Sequence, residues 1–131
     1  MEPQLSTILY AEDDQDIRSI VEMTLRNFSD FKLISCNDGR EALELAEDIT
    51  PDMVLLDVMM PNVDGLTVLN RLKELDAYRR VPIVLMTAKV QKHEVEQFKE
   101  LGATDVIIKP FDPLTLVDRI VDIWNEYHGC S

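Results

Sequence analysis

Cysteine, histidine and glycine are scarce in this 131-residue chain, which contains two cysteines, two histidines and four glycines. Cys36 and Cys130 are far apart and form no CxxC pair, so neither a disulfide scaffold nor a zinc site is indicated. The sequence also has no Walker-type glycine loop and no GxGxxG motif. Nothing therefore suggests that the chain itself binds a nucleotide.

Positive charge is sparse as well, because 13 lysines and arginines stand against 25 aspartates and glutamates, giving a formal net charge of −12. This balance argues against direct binding to DNA, RNA or an anionic membrane, all of which attract basic surfaces. No apolar run approaches the length of a membrane span, and the first residues lack the features of a signal peptide. We therefore expect a cytoplasmic protein that contacts neither nucleic acid nor membrane directly.

Apolar runs alternate with amphipathic segments along the whole chain. The runs predict five strands, at residues 7–11, 31–36, 53–57, 83–87 and 105–109. Four of them are nearly continuous in apolar residues, which is typical of strands covered on both faces. Asp64 and Asp112 resemble N-caps of the helices that follow them. Repeated β-α-β units predict one α/β domain over residues 1–131, with an open parallel sheet and helices on both faces.

Polar side chains gather where the predicted strands end. Glu12 and Asp13 follow the first strand, and Asp57, Thr87 and Lys109 end the third, fourth and fifth. Each residue taken separately has an ordinary structural interpretation as a cap, a turn residue or a solvated side chain. Because the carboxyl ends of parallel strands meet at one edge of the sheet, we expect all five to lie together.

This combination of groups favours phosphoryl chemistry at a magnesium site. Two carboxylates about 4 Å apart repel by roughly 4 kcal/mol at an effective dielectric near 20, and a hard divalent cation removes that conflict. Asp13 and Asp57 suit direct ligands, and Glu12 suits a water-mediated or supporting role. Asp57 is a carboxylate nucleophile that can form an acyl phosphate. Lys109 can neutralise charge on the moving phosphoryl group and Thr87 can donate its hydroxyl.

The segments ILYAEDD, VLLDVMMPNVDG, LMTA and DVIIKPF together resemble the receiver domain of bacterial two-component response regulators. The resemblance covers nearly the whole chain and implies a flavodoxin-like fold with strand order 2-1-3-4-5. It implies that Mg²⁺ is bound by Asp13, Asp57 and the main-chain carbonyl of Met59. It also implies a cis peptide bond between Lys109 and Pro110.

The resemblance further implies a function. Asp57 would receive its phosphoryl group from a phosphohistidine on a sensor kinase or a phosphotransfer protein, and the change in shape would control an output protein or a fused effector domain. No catalysis is implied beyond the chain's own phosphorylation and dephosphorylation. The sequence departs from the family at Val106, where many receivers carry an aromatic switch residue. Met59 and Lys89 occupy positions that tune dephosphorylation in the family.

Three alternatives remain at this point. A phosphatase of the haloacid dehalogenase type uses similar groups, but its nucleophile comes first in a DxD motif, whereas here the acidic pair precedes Asp57 and Met59 replaces the second aspartate. A flavodoxin-type electron carrier would need a phosphate loop after the first strand, and the acidic residues there would repel FMN. A receiver that serves only for docking would not need the complete set of site residues.

Overall fold

A computed structural model describes residues 4–88 and 91–129 of the protein, so Lys89 and Cys130 lie outside the described residues. The strands are β1 (Thr7–Ala11), β2 (Lys32–Cys36), β3 (Met53–Asp57), β4 (Ile83–Ala88) and β5 (Asp105–Lys109). The helices are α1 (Gln15–Phe28), α2 (Gly39–Ala46), α3 (Gly65–Lys73), α4 (Lys92–Glu100) and α5 (Pro113–Tyr127), with a short 3₁₀ turn at Asp76–Tyr78.

All five strands are parallel and form one sheet in the order β2-β1-β3-β4-β5. The predicted fold and strand order are therefore confirmed. The second strand begins one residue later than predicted and the fourth ends one residue later, a difference within the ordinary variation of strand ends. The described helices include none that is both long enough and apolar enough to cross a membrane.

Side chains of the central strands alternate between two apolar cores, one on each face of the sheet. Leu9 and Ala11 of β1 pack on the face of α2 and α3, with Val68, Leu69 and Leu72 of α3. Ile8 and Tyr10 pack on the opposite face, under α1 and α5. Because β1 and β3 are neighbours whose following helices cover opposite faces, a crevice opens at their carboxyl ends.

Aspartate side chains cap four of the helices. Asp14 accepts hydrogen bonds from the main-chain N–H groups of Asp16 and Ile17 at the start of α1. Asp64 and Asp112 cap α3 and α5 in the same way, which confirms the two predicted caps. Asp14 is therefore used by its helix, and the acidic pair available for chemistry after β1 is Glu12 and Asp13.

Helix α4 is attached to the domain more lightly than the other helices. None of its residues is buried, and Val95 and Phe98 are only half-buried. Phe98 packs at the margin of the core under α2 and α3. In contrast, α5 buries Leu116 and Ile120 completely.

Candidate functional site

Three of the predicted site residues are in direct contact at the carboxyl edge of the sheet. The Lys109 Nζ donates to Glu12 Oε1 at 2.7 Å and to Asp57 Oδ1 at 2.8 Å. Glu12 is 1% exposed and Asp57 is 4% exposed, whereas the Lys109 side chain keeps 16% of its surface in solvent. The three strands β1, β3 and β5 thus bring two buried carboxyl groups onto one ammonium group.

Local backbone contacts fix the two acids. The Glu12 N–H donates to the Cys36 carbonyl at 3.2 Å, and the Arg18 guanidinium on α1 donates to the Glu12 carbonyl at 2.8 Å. Beyond Asp57, the Val58 N–H continues the β3–β4 pairing. A Cβ atom at position 65 would overlap the main-chain oxygen of Asp57, so only glycine lets α3 start this close to the strand.

The burial of Glu12 has an electrostatic consequence. Desolvation raises the pKa of Glu12 to about 7, and the neighbouring Asp57 carboxyl group acts in the same direction, while Lys109 opposes both. For Lys109, burial alone would lower the pKa, but the hydrogen bonds to Asp57 and Glu12 outweigh burial and raise it. Lys109 therefore stays charged, and Glu12 is the acid that can take up a proton near neutral pH.

The acidic residues form a candidate cation site. Glu12, Asp13 and Asp57 each offer a carboxylate oxygen, and these three oxygens lie within 4.8 Å of one another. Asp13 is exposed while the other two are buried, so the cluster opens to solvent on one side. An all-oxygen donor set fits Mg²⁺, which prefers carboxylates and water. Met59, whose main-chain carbonyl was also expected to bind the cation, is 76% exposed.

Thr87 lies at the same edge of the sheet but does not contact the Glu12, Asp57 and Lys109 group. It is 6% exposed near the end of β4, opposite Ile108 and one residue past Met86, which pairs with Asp57. Within residues 4–88 and 91–129, its hydroxyl has no hydrogen bond to the groups of Glu12, Asp57 and Lys109. The peptide bond between Lys109 and Pro110 is cis, as the resemblance implied.

Three residues at the site were not singled out by sequence reasoning, namely Tyr10, Arg18 and Gly65. Tyr10 is completely buried, and its hydroxyl finds no hydrogen-bond partner among the described residues. Burial raises the pKa of Tyr10 well above its ordinary value, and the charges of Glu12 and Asp57 raise it further. The spacing of Tyr10 from Glu12 was the available signal, since residues two apart in a strand share a face.

Comparison with known proteins identifies the family. The family model of the response regulator receiver domain matches residues 8–121. The chain belongs to this family. Phosphorylation and Mg²⁺ binding at an acidic pocket are general properties of response regulator receivers, which are not enzymes in the usual sense. Family membership removes the phosphatase and electron-carrier alternatives.

A transcriptional regulator is among the relatives of this chain. The transcriptional regulatory protein SrrA of Staphylococcus aureus (strain NCTC 8325 / PS 47) is 39% identical over 114 residues, which are 86% of this chain and 45% of SrrA. The chain thus spans less than half the length of this relative.

Solved receiver structures share the fold. The chemotaxis response regulator CheY4 of Vibrio cholerae has a TM-score of 0.85 and 28% identity, covering 92% of this chain and 99% of CheY4. The signal receiver domain of a DNA-binding response regulator from Colwellia psychrerythraea 34H has a TM-score of 0.80 and 28% identity, with coverages of 92% and 98%. Their agreement with the strand order described above places the chain among receivers.

Proposed function

We propose that Asp57 accepts a phosphoryl group from a phosphohistidine on a sensor histidine kinase or phosphotransfer protein, in a Mg²⁺-dependent reaction. The observation that carries this proposal is the contact of Lys109 with the buried acids Asp57 and Glu12 at the strand ends. A buried carboxylate without a partner would destabilise the fold, so these acids are not explained by stability alone. The fixed Lys109 ammonium beside Asp57 supplies the positive charge that a negatively charged phosphoryl group needs.

The transfer exchanges one bond to phosphorus for another. An Asp57 carboxylate oxygen forms a bond to phosphorus, the bond between phosphorus and the donor's imidazole nitrogen breaks, and the imidazole keeps the electron pair. The Lys109 ammonium neutralises charge on the transferred oxygens, and the Thr87 hydroxyl donates to one of them. Residues Glu12, Asp13 and Asp57, with the Met59 carbonyl, would hold Mg²⁺. When bound, the cation would supply further positive charge to the phosphoryl oxygens.

The surface next to the site favours a protein as the phosphodonor. An apolar groove of about 310 Å³ borders Lys109, with Ile17 and Ile20 of α1 on one side and Pro110, Phe111 and Pro113 on the other. Ile20 is 46% exposed. An apolar surface around a charged reaction centre suits the side chains of a docking protein better than a small polar phosphate compound.

Phosphorylation would act on an output component by changing the shape of the domain. We propose that residues 1–131 form one receiver unit, whose target is either a separate protein or an effector domain in a longer chain. The length of SrrA relative to the matched region is compatible with the second arrangement.

The acceptor assignment is tested by intact-mass analysis after incubation with Mg²⁺ and acetyl phosphate. We expect wild type to gain one base-labile phosphoryl group and Asp57→Asn to gain none. Asp48→Asn is the matched control, because Asp48 is exposed just after the end of α2, and its side chain makes no hydrogen bond or ion pair within the described chain. Undiminished labelling of Asp57→Asn would refute the assignment.

A further inference from the structure

Tyr10 places a hydroxyl group in the interior where phenylalanine would fill almost the same space. The residue is 0% exposed, and its hydroxyl has no hydrogen-bond partner in the part of the chain that the structure describes. Buried hydroxyl groups are normally paired, because an unpaired one loses its hydrogen bonds to water without replacement. The unpaired hydroxyl therefore lowers the stability of the unphosphorylated protein. We look for a second state of the protein in which the hydroxyl is hydrogen-bonded.

The position of Tyr10 relates that hydroxyl to the acidic site. Tyr10 and Glu12 are two residues apart in β1 and its extension, so both side chains point to the face covered by α1 and α5. The β3 partner of Tyr10 is Leu55, which is likewise two residues before Asp57. Tyr10 thus lies one row below Glu12 and Asp57, and the charges that act on its hydroxyl are those of Glu12 and Asp57 together with Arg18 and Glu22 of α1.

The Tyr10 hydroxyl is available as a donor. Burial raises its pKa, and the neighbouring carboxylates add to this effect more than Arg18 opposes it. The hydroxyl therefore keeps its proton at neutral pH and can donate it in a hydrogen bond. Arg18 itself is engaged, because it donates to the Glu12 carbonyl at 2.8 Å and lies 3.7 Å from the Glu22 carboxylate.

Glu12 is the group that would need this donor. Its Oε1 accepts from Lys109 at 2.7 Å, whereas among the described residues its Oε2 accepts a single long hydrogen bond of 3.3 Å, from the Asp14 N–H. Lys109 is shared with Asp57, and a phosphoryl group on Asp57 would bring new anionic oxygens that compete for the same ammonium. At 1% exposure, Glu12 has little contact with bulk water, so apart from the bound cation a replacement donor has to come from the protein.

We propose that Tyr10 is a positioning residue of the phosphorylated state, whose hydroxyl donates to the Glu12 carboxylate when Lys109 turns toward the phosphoryl group. This inference rests on the proposed phosphorylation of Asp57. In the unphosphorylated chain, the Tyr10 hydroxyl has no such role.

The test compares Tyr10→Phe with wild type in the binding of beryllofluoride, a phosphoryl mimic, at saturating Mg²⁺. We expect the variant to be at least as stable as wild type without beryllofluoride, because it loses an unpaired hydroxyl. We expect its dissociation constant for beryllofluoride to rise about tenfold, the factor typical of one hydrogen bond to a charged group. In wild type, binding should also shift the near-ultraviolet absorption of tyrosine, and this shift should be absent from Tyr10→Phe.

Tyr78→Phe is the matched control, since the Tyr78 hydroxyl is paired and lies in the core on the other face. It donates to the Ala46 carbonyl at 2.8 Å. This variant should lose stability equally with and without beryllofluoride, keep wild-type affinity and keep the absorption shift.

The outcomes separate the inference from the function on which it rests. Wild-type affinity in Tyr10→Phe, or an absorption shift that survives in it, would overturn the role of Tyr10 while leaving Asp57 as the acceptor. A wild-type protein that neither gains a phosphoryl group nor binds beryllofluoride would refute the proposed function, and the inference with it.

Discussion

The buried carboxyl group of Glu12 should make the metal-free protein less stable as pH rises. The pKa of Glu12 is about 7 in the folded protein, against an ordinary value of 4.5. Because the folded value is the higher one, the folded state binds more protons between these two values. The resulting stabilisation is fully present below the unfolded pKa and is lost as pH rises through the folded pKa.

The size of the effect follows from the two pKa values. Their difference of about 2.5, at about 1.4 kcal/mol per pKa unit, corresponds to roughly 3 kcal/mol. This figure is an upper limit, because Glu12, Asp57 and Lys109 share charge and adjust to one another. Glu12→Gln keeps the size of the side chain but cannot ionise, so this part of the pH dependence should disappear in the variant.

Urea unfolding without Mg²⁺, followed by circular dichroism between about pH 5 and about pH 8, measures the effect. The stability difference between Glu12→Gln and wild type should change by up to about 3 kcal/mol in favour of the variant as pH rises. The exposed Glu47→Gln is the control and should run parallel to wild type. Parallel profiles for wild type and Glu12→Gln would refute the reasoning.

Three further predictions concern the same edge of the sheet. Millimolar Mg²⁺ should raise the melting temperature of wild type and raise that of Asp13→Asn much less, and equal shifts in a thermal melt would count against the cation site. In Gly65→Ala, the new methyl group displaces the Asp57 main chain. The variant should therefore be labelled by acetyl phosphate more slowly than wild type, and urea unfolding should show a loss of about 1 to 3 kcal/mol in stability. Labelling at the wild-type rate would contradict this prediction. Lys109→Met leaves Glu12 facing Asp57, with their carboxylate oxygens within 4.8 Å and no ammonium group between them. The variant should therefore lose up to about 3 kcal/mol of unfolding free energy at about pH 8, and less at about pH 6. An equal loss at both pH values would show that charge is not the cause.

The main features of the fold could be predicted from the sequence because each strand is marked by a separate run of apolar residues. The strand at 105–109 illustrates this, since it is apolar between Asp105 and Lys109 and is closed by Pro110. Position at the end of a strand also sufficed to group Glu12, Asp57 and Lys109, because parallel strands bring their ends to a common edge.

Other parts of the site depend on how the helices and strands are placed relative to one another. The pattern of apolar residues along the sequence does not give this placement. Arg18 reaches the Glu12 carbonyl only because α1 folds back along the sheet beside β1. The sequence shows Gly65 as a residue after a cap, and its close approach to Asp57 is visible only once α3 is placed. The direct contact of Lys109 with Glu12, in addition to Asp57, likewise required the spatial arrangement of β1, β3 and β5.

The sparse burial of α4 bears on how a small chemical event at Asp57 can reach the surface. Displacing a well-buried helix such as α5 would expose a large apolar area, whereas displacing α4 uncovers mainly the half-buried Val95 and Phe98. Among the described helices, α4 is thus the one whose local opening costs least, and its amide protons should exchange with solvent before those of α5. A domain with one lightly held helix beside the reactive edge can change its outline while the sheet and the other four helices stay in place.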